Sequence, residues 1–251
     1  MNKGIYNSAL AYDAYATPST TKQFAFFDVD ETLIYEKSMF AMLHAIEKNI
    51  GGIKAQHAID RLQSLREGGA DRISVNRAYY ALLSGYKQQD VMAVAKFHVR
   101  ARIENHARAP YFIEAVRDQL LFLQSLNIPA VLISGSCIDF LEPLRRYFGA
   151  AASLATCLSI DKDGYYTGHI KGHPVIGPGK LSLITQFATQ QGADLSQCHG
   201  YGDHASDIDF LSAVGWPTVV GNNEILHKKA KSLGWKVISS GPLSPQNATL
   251  K

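Results

Sequence analysis

The sequence predicts an α/β fold, in which helices cover both faces of a parallel sheet and a helical bundle is inserted after the first strand. From Pro110 onward, short apolar runs that are typical of strands alternate with apolar residues at helical spacing. Between Glu36 and Ala109, by contrast, only the helical spacing occurs. A chain of 251 residues, of which 46% are hydrophobic, is long enough for one large domain that carries such an insert.

The predicted elements follow one another in a regular order. The first strand is the apolar run over residues 24–28, and the helical insert follows it, with Met39, Leu43 and Ile46 at helical spacing. Further strands are predicted over residues 130–133, 154–160, 165–170, 199–202, 218–220 and 236–238, and helices over residues 113–123, 140–144, 181–191, 208–211 and 224–233. The turn sequence DKDG at residues 161–164 predicts a hairpin between the strands that flank it.

We expect three parts in the chain: a polar arm over residues 1–21, an α/β core formed by residues 22–35 and 110–251, and a helical cap over residues 36–109. The net charge of +3 is too small to indicate a nucleic acid as a partner. The charge is unevenly distributed, because the cap contains 12 lysines and arginines against 7 acidic residues. The cap is therefore basic and the rest slightly acidic, which favours an anionic substrate unless these charges are simply solvated.

Composition also excludes several classes of protein. No run approaches the roughly 18 apolar residues of a membrane span, and the chain begins without the basic start and apolar block of an export signal. We therefore expect no membrane partner and a cytoplasmic location. The three cysteines, Cys137, Cys157 and Cys198, lack CxxC spacing, so they indicate neither a disulfide framework nor a zinc site. The sequence indicates no particular oligomeric state.

Two aspartates, Asp28 and Asp30, stand at the end of the first predicted strand. Residues i and i+2 of a strand point to the same side, and open α/β sheets bind ligands at the carboxyl ends of their strands. The pair therefore indicates a metal-binding active site, although an acidic loop after a buried strand would give the same pattern.

Three later polar segments stand at equivalent places, directly after a predicted strand or at the start of a predicted helix. They are Ser134-Gly135-Ser136, Gly179-Lys180 and Gly202-Asp203-His204-Ala205-Ser206-Asp207. Taken singly, these residues are more typical of a turn, a solvated lysine or a helix cap than of a catalytic site. Because they follow Asp28 and Asp30 in order at one predicted sheet edge, we interpret all of them as parts of one site.

In this order of motifs, over most of its length, the chain resembles the haloacid dehalogenase superfamily of phosphotransferases. Within that superfamily it is similar to the phosphoserine phosphatases, which carry a helical cap after the first strand. The resemblance implies a Rossmann-like core. It also implies that Asp28 is the nucleophile, that Asp30 is the acid/base, and that Ser134 and Lys180 contact the phosphate.

The same resemblance implies a metal ion. An aspartate nucleophile and a phosphate are both negative, so they approach each other only beside a cation, and Mg²⁺ is the cation that prefers oxygen ligands. The implied ligands are Asp28, Asp203, Asp207 and the backbone carbonyl of Asp30. Asp207 would either anchor a metal-bound water or orient Lys180.

We therefore expect a Mg²⁺-dependent phosphomonoester hydrolase that acts on a small phosphorylated metabolite through an aspartyl-phosphate. By the same resemblance, the second aspartate favours phosphoryl transfer over dehalogenation, which needs no general acid there.

Two alternatives stay open: a phosphotransferase or phosphomutase with the same nucleophile, and a non-catalytic domain that binds a phosphorylated ligand. A P-loop is excluded because Pro178 stands where that motif requires lysine. A cysteine phosphatase is excluded because none of the three cysteines has the required arginine six positions later.

Substrate contacts are predicted on both sides of the crevice. In the core, Gly135 lets the backbone approach the phosphate beside Ser134. In the cap, phosphoserine phosphatases carry a glutamate nine residues after the nucleophile, but Lys37 occupies that position here, directly after Glu36. A lysine would repel a substrate amine and favour a carboxylate or a second phosphate, whereas Glu36 would restore the glutamate if the cap were shifted by one residue.

Further candidates in the cap are Arg77, Tyr79, Tyr80 and Arg100. The two tyrosines also fit the core of a helical bundle.

Overall fold

In the computed structural model of this protein, residues 22–241 are described, so the arm predicted over residues 1–21 lies outside the described residues. The strands are β1 Ala25–Asp28, β2 Ala130–Cys137, β3 Ala152–Thr156, β4 Leu158–Ile160, β5 Tyr166–Ile170, β6 His199–Gly202, β7 Trp216–Val220 and β8 Lys236–Ile238. The helices are α1 Ser38–Asn49, α2 Ala55–Glu67, α3 Arg72–Ala81, α4 Gln88–Glu104, α5 Glu114–Ser125, α6 Ile138–Phe148, α7 Pro178–Gln191, α8 Ile208–Ala213 and α9 Glu224–Leu233.

Six strands form a parallel sheet in the order β3-β2-β1-β6-β7-β8. The first strand lies near the middle, with β2 and β6 on its two sides, and Asp28 at its end is in register with Ile133 of β2. Parallel strands bring their carboxyl ends to one edge of the sheet. The segments that follow β1, β2 and β6 therefore meet at the same edge.

The two faces of the sheet bury separate apolar clusters, because successive side chains of a strand point to opposite faces. Phe27 and Leu132 pack on one face, and Phe26 and Val131 pack on the other, against the helices that follow β6 and β7. The ring of Phe27 also stacks on Tyr201 of β6, with centroids 4.4 Å apart. The α/β fold with helices on both faces is thus confirmed.

A third apolar cluster holds together the helices that lie between β1 and α5. It contains buried residues of α1 to α4, among them Leu43, Tyr80 and Val91. None of the helices in the described part of the chain is long and apolar enough to cross a membrane.

The prediction of one strand over residues 154–160 is wrong. The chain forms two strands there, because β3 ends at Thr156 within the central sheet, while β4 begins at Leu158 and pairs antiparallel with β5. The predicted hairpin is present, but it packs on the inserted helices rather than on the core. Tyr166 of β5 belongs to their apolar cluster, and its backbone exchanges hydrogen bonds with Gly85 and Tyr86. The insert is therefore covered by a hairpin from the second half of the chain.

We expect Phe27→Ala to lower the free energy of unfolding by about 3–5 kcal/mol, because Phe27 is fully buried and its removal leaves a cavity beneath the end of β1. Urea denaturation followed by circular dichroism measures this change. The control is Phe122→Ala on α5, whose side chain is 55% exposed and whose loss should cost less than about 0.5 kcal/mol. Equal losses in the two variants would show that the sheet core is not packed as described.

Candidate active site

A cavity of about 820 Å³ lies between the carboxyl edge of the sheet and helices α1, α2 and α3. Its core side is lined by Asp28, Asp30, Ser134, Lys180 and Asp203. Pockets for small molecules typically measure about 300–1,000 Å³, so this volume suits such a ligand. The structure thus brings these five side chains together in one cavity.

Lys180 lies between two carboxylates at the floor of this cavity. It stands on the first turn of α7, is 5% exposed, and places its Nζ 2.7 Å from Asp28 Oδ1 and 2.7 Å from Asp207 Oδ1. Burial by itself would lower the pKa of Lys180, but the negative charges of Asp207 and Asp28 outweigh burial and raise that pKa. Lys180 therefore carries a positive charge beside Asp28 at neutral pH.

The residues before Lys180 explain why it reaches this place. Pro178 is at the first position of α7, where the missing N–H of proline leaves no helical hydrogen bond unmade. At Gly179, a Cβ atom would lie 2.3 Å from the carbonyl oxygen of Pro174, so a larger residue does not fit. This close approach lets the first turn of α7 pack against the segment that precedes it.

Three carboxylates meet beside Lys180. Oxygen atoms of Asp28, Asp203 and Asp207 lie within 4.8 Å of one another. Asp207 is fully buried, and both of its oxygens are engaged, Oδ1 by Lys180 and Oδ2 by the backbone N–H of His204 at 3.1 Å. Asp28 and Asp203 line the cavity, whereas Asp207 lies behind them and orients Lys180.

The electrostatics of this cluster fit a divalent cation. Burial raises the pKa of Asp28, and burial together with the charge of Asp28 raises the pKa of Asp203 well above its usual value. Within residues 22–241, Lys180 is the one cation that forms an ion pair with any of the three carboxylates. Negative charge therefore remains in excess, and carboxylate oxygens are the ligands that Mg²⁺ prefers. The residues present thus suit Mg²⁺.

Asp30 does not belong to the three-carboxylate cluster. It follows β1 in a tight turn, in which the N–H of Leu33 donates to the carbonyl of Val29. Its side chain contacts Ser136, whose Oγ donates to Oδ2 over 3.1 Å. Burial raises the pKa of Asp30 to about 7, against the lowering effect of the nearby hydroxyls of Ser38 and Ser136. A carboxyl group that titrates near neutral pH is suited to general acid–base catalysis.

Ser134 and Gly135 form the third part of the floor, in the carboxyl-terminal half of β2. Ser134 Oγ accepts a hydrogen bond from the N–H of Ser136 over 3.0 Å, which leaves its own hydrogen for a ligand. The carbonyl of Gly135 accepts a hydrogen bond from the buried hydroxyl of Tyr80 over 2.9 Å. Tyr80 therefore does not contact a substrate directly, but ties helix α3 to this segment.

Of the predicted cap contacts, Lys37 and Tyr79 line the cavity. Lys37 Nζ lies 3.5 Å from the carboxylate of Glu31, so its charge is partly compensated within the chain. The hydroxyl of Tyr79 donates to the carbonyl of Met39 over 2.6 Å, and its ring is fully buried. Lys37 is thus the one of the two that offers a charged group to a substrate.

The other predicted cap contacts are corrected, because Glu36, Arg77 and Arg100 do not line the cavity. Glu36 is drawn to two cationic side chains of α4: it accepts hydrogen bonds from His98 Nε2 over 2.8 Å and from Arg102 Nε over 3.0 Å. Arg77 and Arg100 are exposed on their helices. The shift that would let Glu36 replace the expected glutamate is therefore not observed.

Two arginines that the sequence did not single out, Arg66 and Arg72, also line the cavity from the cap. Arg72 Nη1 lies 2.6 Å from His204 Nδ1 and 3.4 Å from Ser206 Oγ, so it joins the start of α3 to the segment after β6. Burial, and next the charge of Arg72, lower the pKa of His204 to about 4, which keeps the imidazole neutral. No spacing in the sequence connects the start of α3 with the segment after β6. The contact between Arg72 and His204 becomes visible only when the cap is docked on the core.

Comparison with known proteins identifies the wider relationship. The sequence model of the haloacid dehalogenase-like hydrolases matches residues 25–212. The chain is 28% identical, over 245 residues, to an inhibition of morphological differentiation protein of Streptomyces azureus, which covers 95% of this chain and 82% of that protein. It is 29% identical over 230 residues to a probable phosphatase of Mycobacterium tuberculosis, a match that covers 88% of this chain and 76% of that protein. It is 28% identical over 229 residues to a histidinol-phosphatase of Neisseria meningitidis, a match that covers 87% of this chain and 99% of that protein.

Solved structures show the same fold. A protein of unknown function from Bordetella pertussis superimposes with a TM-score of 0.77 at 24% identity, covering 88% of this chain and all of that one. A phosphoserine phosphatase holding an analogue of its phospho-aspartyl intermediate superimposes with a TM-score of 0.62 at 16% identity, covering 92% and 98%. The arrangement of sheet, helices and insert is therefore shared with these proteins.

We expect Asp30→Asn to stabilise the protein by about 4 kcal/mol at pH 8 in the absence of divalent metal, and by about 1.5 kcal/mol at pH 5. The folded state holds the Asp30 proton up to a pKa of about 7, whereas an unfolded aspartate loses it near 4, so the free energy of unfolding falls as the pH rises through this window. Urea denaturation in EDTA at the two pH values measures the difference.

The control for this measurement is Asp163→Asn, in the exposed turn between β4 and β5. It removes the same charge and should shift the stability equally little at both pH values. A difference between Asp30→Asn and wild type that is independent of pH would contradict the raised pKa.

Proposed function

Because the chain belongs to the haloacid dehalogenase-like hydrolases and is a phosphatase, we propose that it hydrolyses small phosphomonoesters with Mg²⁺ through an aspartyl-phosphate on Asp28. The observation that carries this proposal is the ion pair of Asp28 and Lys180 at the cavity floor, with Asp203 beside it and Asp30 held apart. This arrangement supplies a nucleophile, a cation and a separate group for proton transfer.

The chain's own groups suit a phosphate placed against Asp28. The ammonium of Lys180 offers positive charge there, and the hydroxyl of Ser134 offers a hydrogen bond, with Gly135 beside it. Mg²⁺ would be held by Asp28, Asp203 and the backbone carbonyl of Asp30, with Asp207 behind them. When bound, the ion offsets the negative charges of the carboxylates and the phosphate, so that these groups can approach one another.

Proton transfer falls to Asp30. In the first half-reaction, an oxygen of Asp28 bonds to phosphorus, the bond from phosphorus to the leaving oxygen breaks, and that oxygen takes the proton from Asp30. In the second, water attacks phosphorus, gives a proton back to Asp30, and the bond to Asp28 breaks to release inorganic phosphate. The pKa of Asp30, raised to about 7, suits a group that must give and then take a proton near neutral pH.

We expect Asp28→Asn to reduce phosphate release from 4-nitrophenyl phosphate by at least about a thousandfold, because the amide is no nucleophile and the reaction has no other route. EDTA should abolish activity of the wild type, and added Mg²⁺ should restore it. Phosphate release in a coupled assay measures both effects.

The control is Asp209→Asn on α8, an exposed aspartate close in sequence to the acidic motif but outside the cavity. It should keep the full rate. An Asp28→Asn protein as active as the wild type would reject the proposal. Transfer of phosphate to added glycerol or glucose, in place of release to water, would instead identify a phosphotransferase with the same nucleophile.

The cap side of the cavity favours a substrate with a second anionic group. Lys37, Arg66 and Arg72 line it against one acidic residue of the cap, Glu67, and none of the ion pairs within residues 22–241 involves Arg66 or Arg72. Lys37 also takes the place of the glutamate that we expected by resemblance to phosphoserine phosphatases. We therefore propose a phosphomonoester that carries a carboxylate or a further phosphate and lacks an amine at that end.

We expect Arg72→Gln and Arg66→Gln each to reduce kcat/KM for 4-carboxyphenyl phosphate by about tenfold, the loss typical of one hydrogen bond to a charged group, and that for phenyl phosphate by less than about threefold. The control Arg61→Gln removes the same charge from an exposed position of α2 that does not line the cavity. It should leave both values unchanged. Equal losses for the two substrates would exclude a contact with a second anion.

A further inference from the structure

Two buried hydroxyls connect the cap to Asp30. Ser38 is the first residue of α1, Ser136 belongs to β2, and both are almost inaccessible, with exposed fractions of 8% and 1%. Their Oγ atoms lie 2.6 Å apart, and Ser136 Oγ lies 3.1 Å from Asp30 Oδ2. Ser38 of the cap is therefore connected to the carboxyl group of Asp30 in the core through one hydroxyl, that of Ser136.

The direction of these hydrogen bonds follows from the number of hydrogens. A serine hydroxyl has one hydrogen, and that of Ser136 is donated to Asp30 Oδ2. While Asp30 is ionised and accepts this hydrogen bond, the short contact between the hydroxyls is a hydrogen bond from Ser38 to Ser136. Successive hydrogen bonds of this kind polarise one another in a buried site, so Ser38 strengthens the bond that Ser136 makes to Asp30.

Helix capping does not explain Ser38. The N-cap of α1 is Lys37, which makes no side-chain hydrogen bond to the helix, and the Ser38 hydroxyl is directed across the boundary to Ser136. A buried hydroxyl without a partner costs free energy, so the two serines are satisfied only while α1 is docked on the core.

The two oxygens of Asp30 have different surroundings. Oδ2 accepts the hydrogen bond from Ser136, whereas Oδ1 is buried without a hydrogen-bond partner among residues 22–241. Asp30 also lines the cavity in which the phosphate would bind. The hydrogen bond that Ser136 donates to Oδ2 therefore fixes the orientation of the carboxyl group.

We propose that Ser136 and Ser38 are positioning residues, which hold the Asp30 carboxyl group in the orientation from which it gives a proton to the leaving oxygen and then takes one from water. This inference rests on the proposed function, in which the leaving oxygen receives its proton from Asp30. The bond from Ser136 to Oδ2 restrains rotation of the carboxyl group between the half-reactions. Since Ser38 belongs to the cap, the arrangement is complete only when the cap is closed.

Leaving groups of different quality test this proposal. Phenol leaves less readily than 4-nitrophenol, so hydrolysis of phenyl phosphate depends more on proton donation. We expect Ser136→Ala to reduce kcat for phenyl phosphate by about tenfold and kcat for 4-nitrophenyl phosphate by less than about threefold. Ser38→Ala should show the same preference with a smaller loss, and the double variant should be no slower than Ser136→Ala, because both act through one carboxyl group.

Two further variants separate positioning from a structural effect. Ser136→Thr keeps a hydroxyl and should recover most of the rate with phenyl phosphate. Ser153→Ala on β3 removes a hydroxyl that has a buried oxygen without a partner in the described residues, and it should change neither rate. Thermal unfolding of each variant shows whether it is folded, and Ser38→Ala provides the test if Ser136→Ala does not fold.

The outcomes distinguish this inference from the proposed function. Asp30→Asn should itself show the strong dependence on the leaving group, and if it slows both substrates equally, the assignment of Asp30 as general acid fails. If Asp30→Asn shows the dependence but Ser136→Ala and Ser38→Ala slow both substrates equally or neither, the positioning role alone is overturned.

Discussion

The burial of Lys180 between Asp28 and Asp207 is the constraint on which the site depends. An ammonium group taken out of water without partners is strongly destabilising, so its position requires both carboxylates within contact distance. Each partner comes from a different part of the chain: Asp28 ends β1, Asp207 follows β6, and Lys180 begins α7. These three segments must therefore take up their positions together for the carboxyl edge of the sheet to form. Gly202 belongs to the same constraint, because a Cβ atom there would lie 2.8 Å from Asp207 Oδ2.

The sequence was informative about this edge because its pattern is local. Each polar residue of the core site lies within a few positions of a strand end or a helix start, and a parallel sheet brings such positions together whatever the intervening chain does. The same reasoning extends to Ser136, which stands two residues after Ser134, although the contact with Asp30 also depends on the turn that follows β1. The division of residues 154–160 into two strands could not be predicted, because both parts have strand character and their partners lie far apart in sequence.

The cap shows the limit of such reasoning. Glu36, one residue from the expected position, was a reasonable candidate by spacing, but His98 and Arg102 of a helix some sixty residues later attract it. Arg72 was not distinguished from other basic residues, because its contact with His204 depends on how α3 docks on the core. Helical periodicity predicts that a bundle exists and which faces are apolar, whereas the docking of that bundle is set by a few polar contacts between distant segments.

These polar contacts join the cap to the same groups to which we assign the chemistry. Ser38 reaches Asp30 through Ser136, and Tyr80 holds the carbonyl of Gly135 beside Ser134. A cap that was lifted would leave these buried partners without hydrogen bonds, so closure and the order of the floor are coupled. Lys180 alone does not offset the negative charge of the floor, because its single positive charge is already shared by Asp28 and Asp207. In the proposed mechanism, a phosphate beside Asp28 would add to this negative charge, and Asp203, which lines the cavity and forms no ion pair within residues 22–241, would join Asp28 in binding the cation that offsets it.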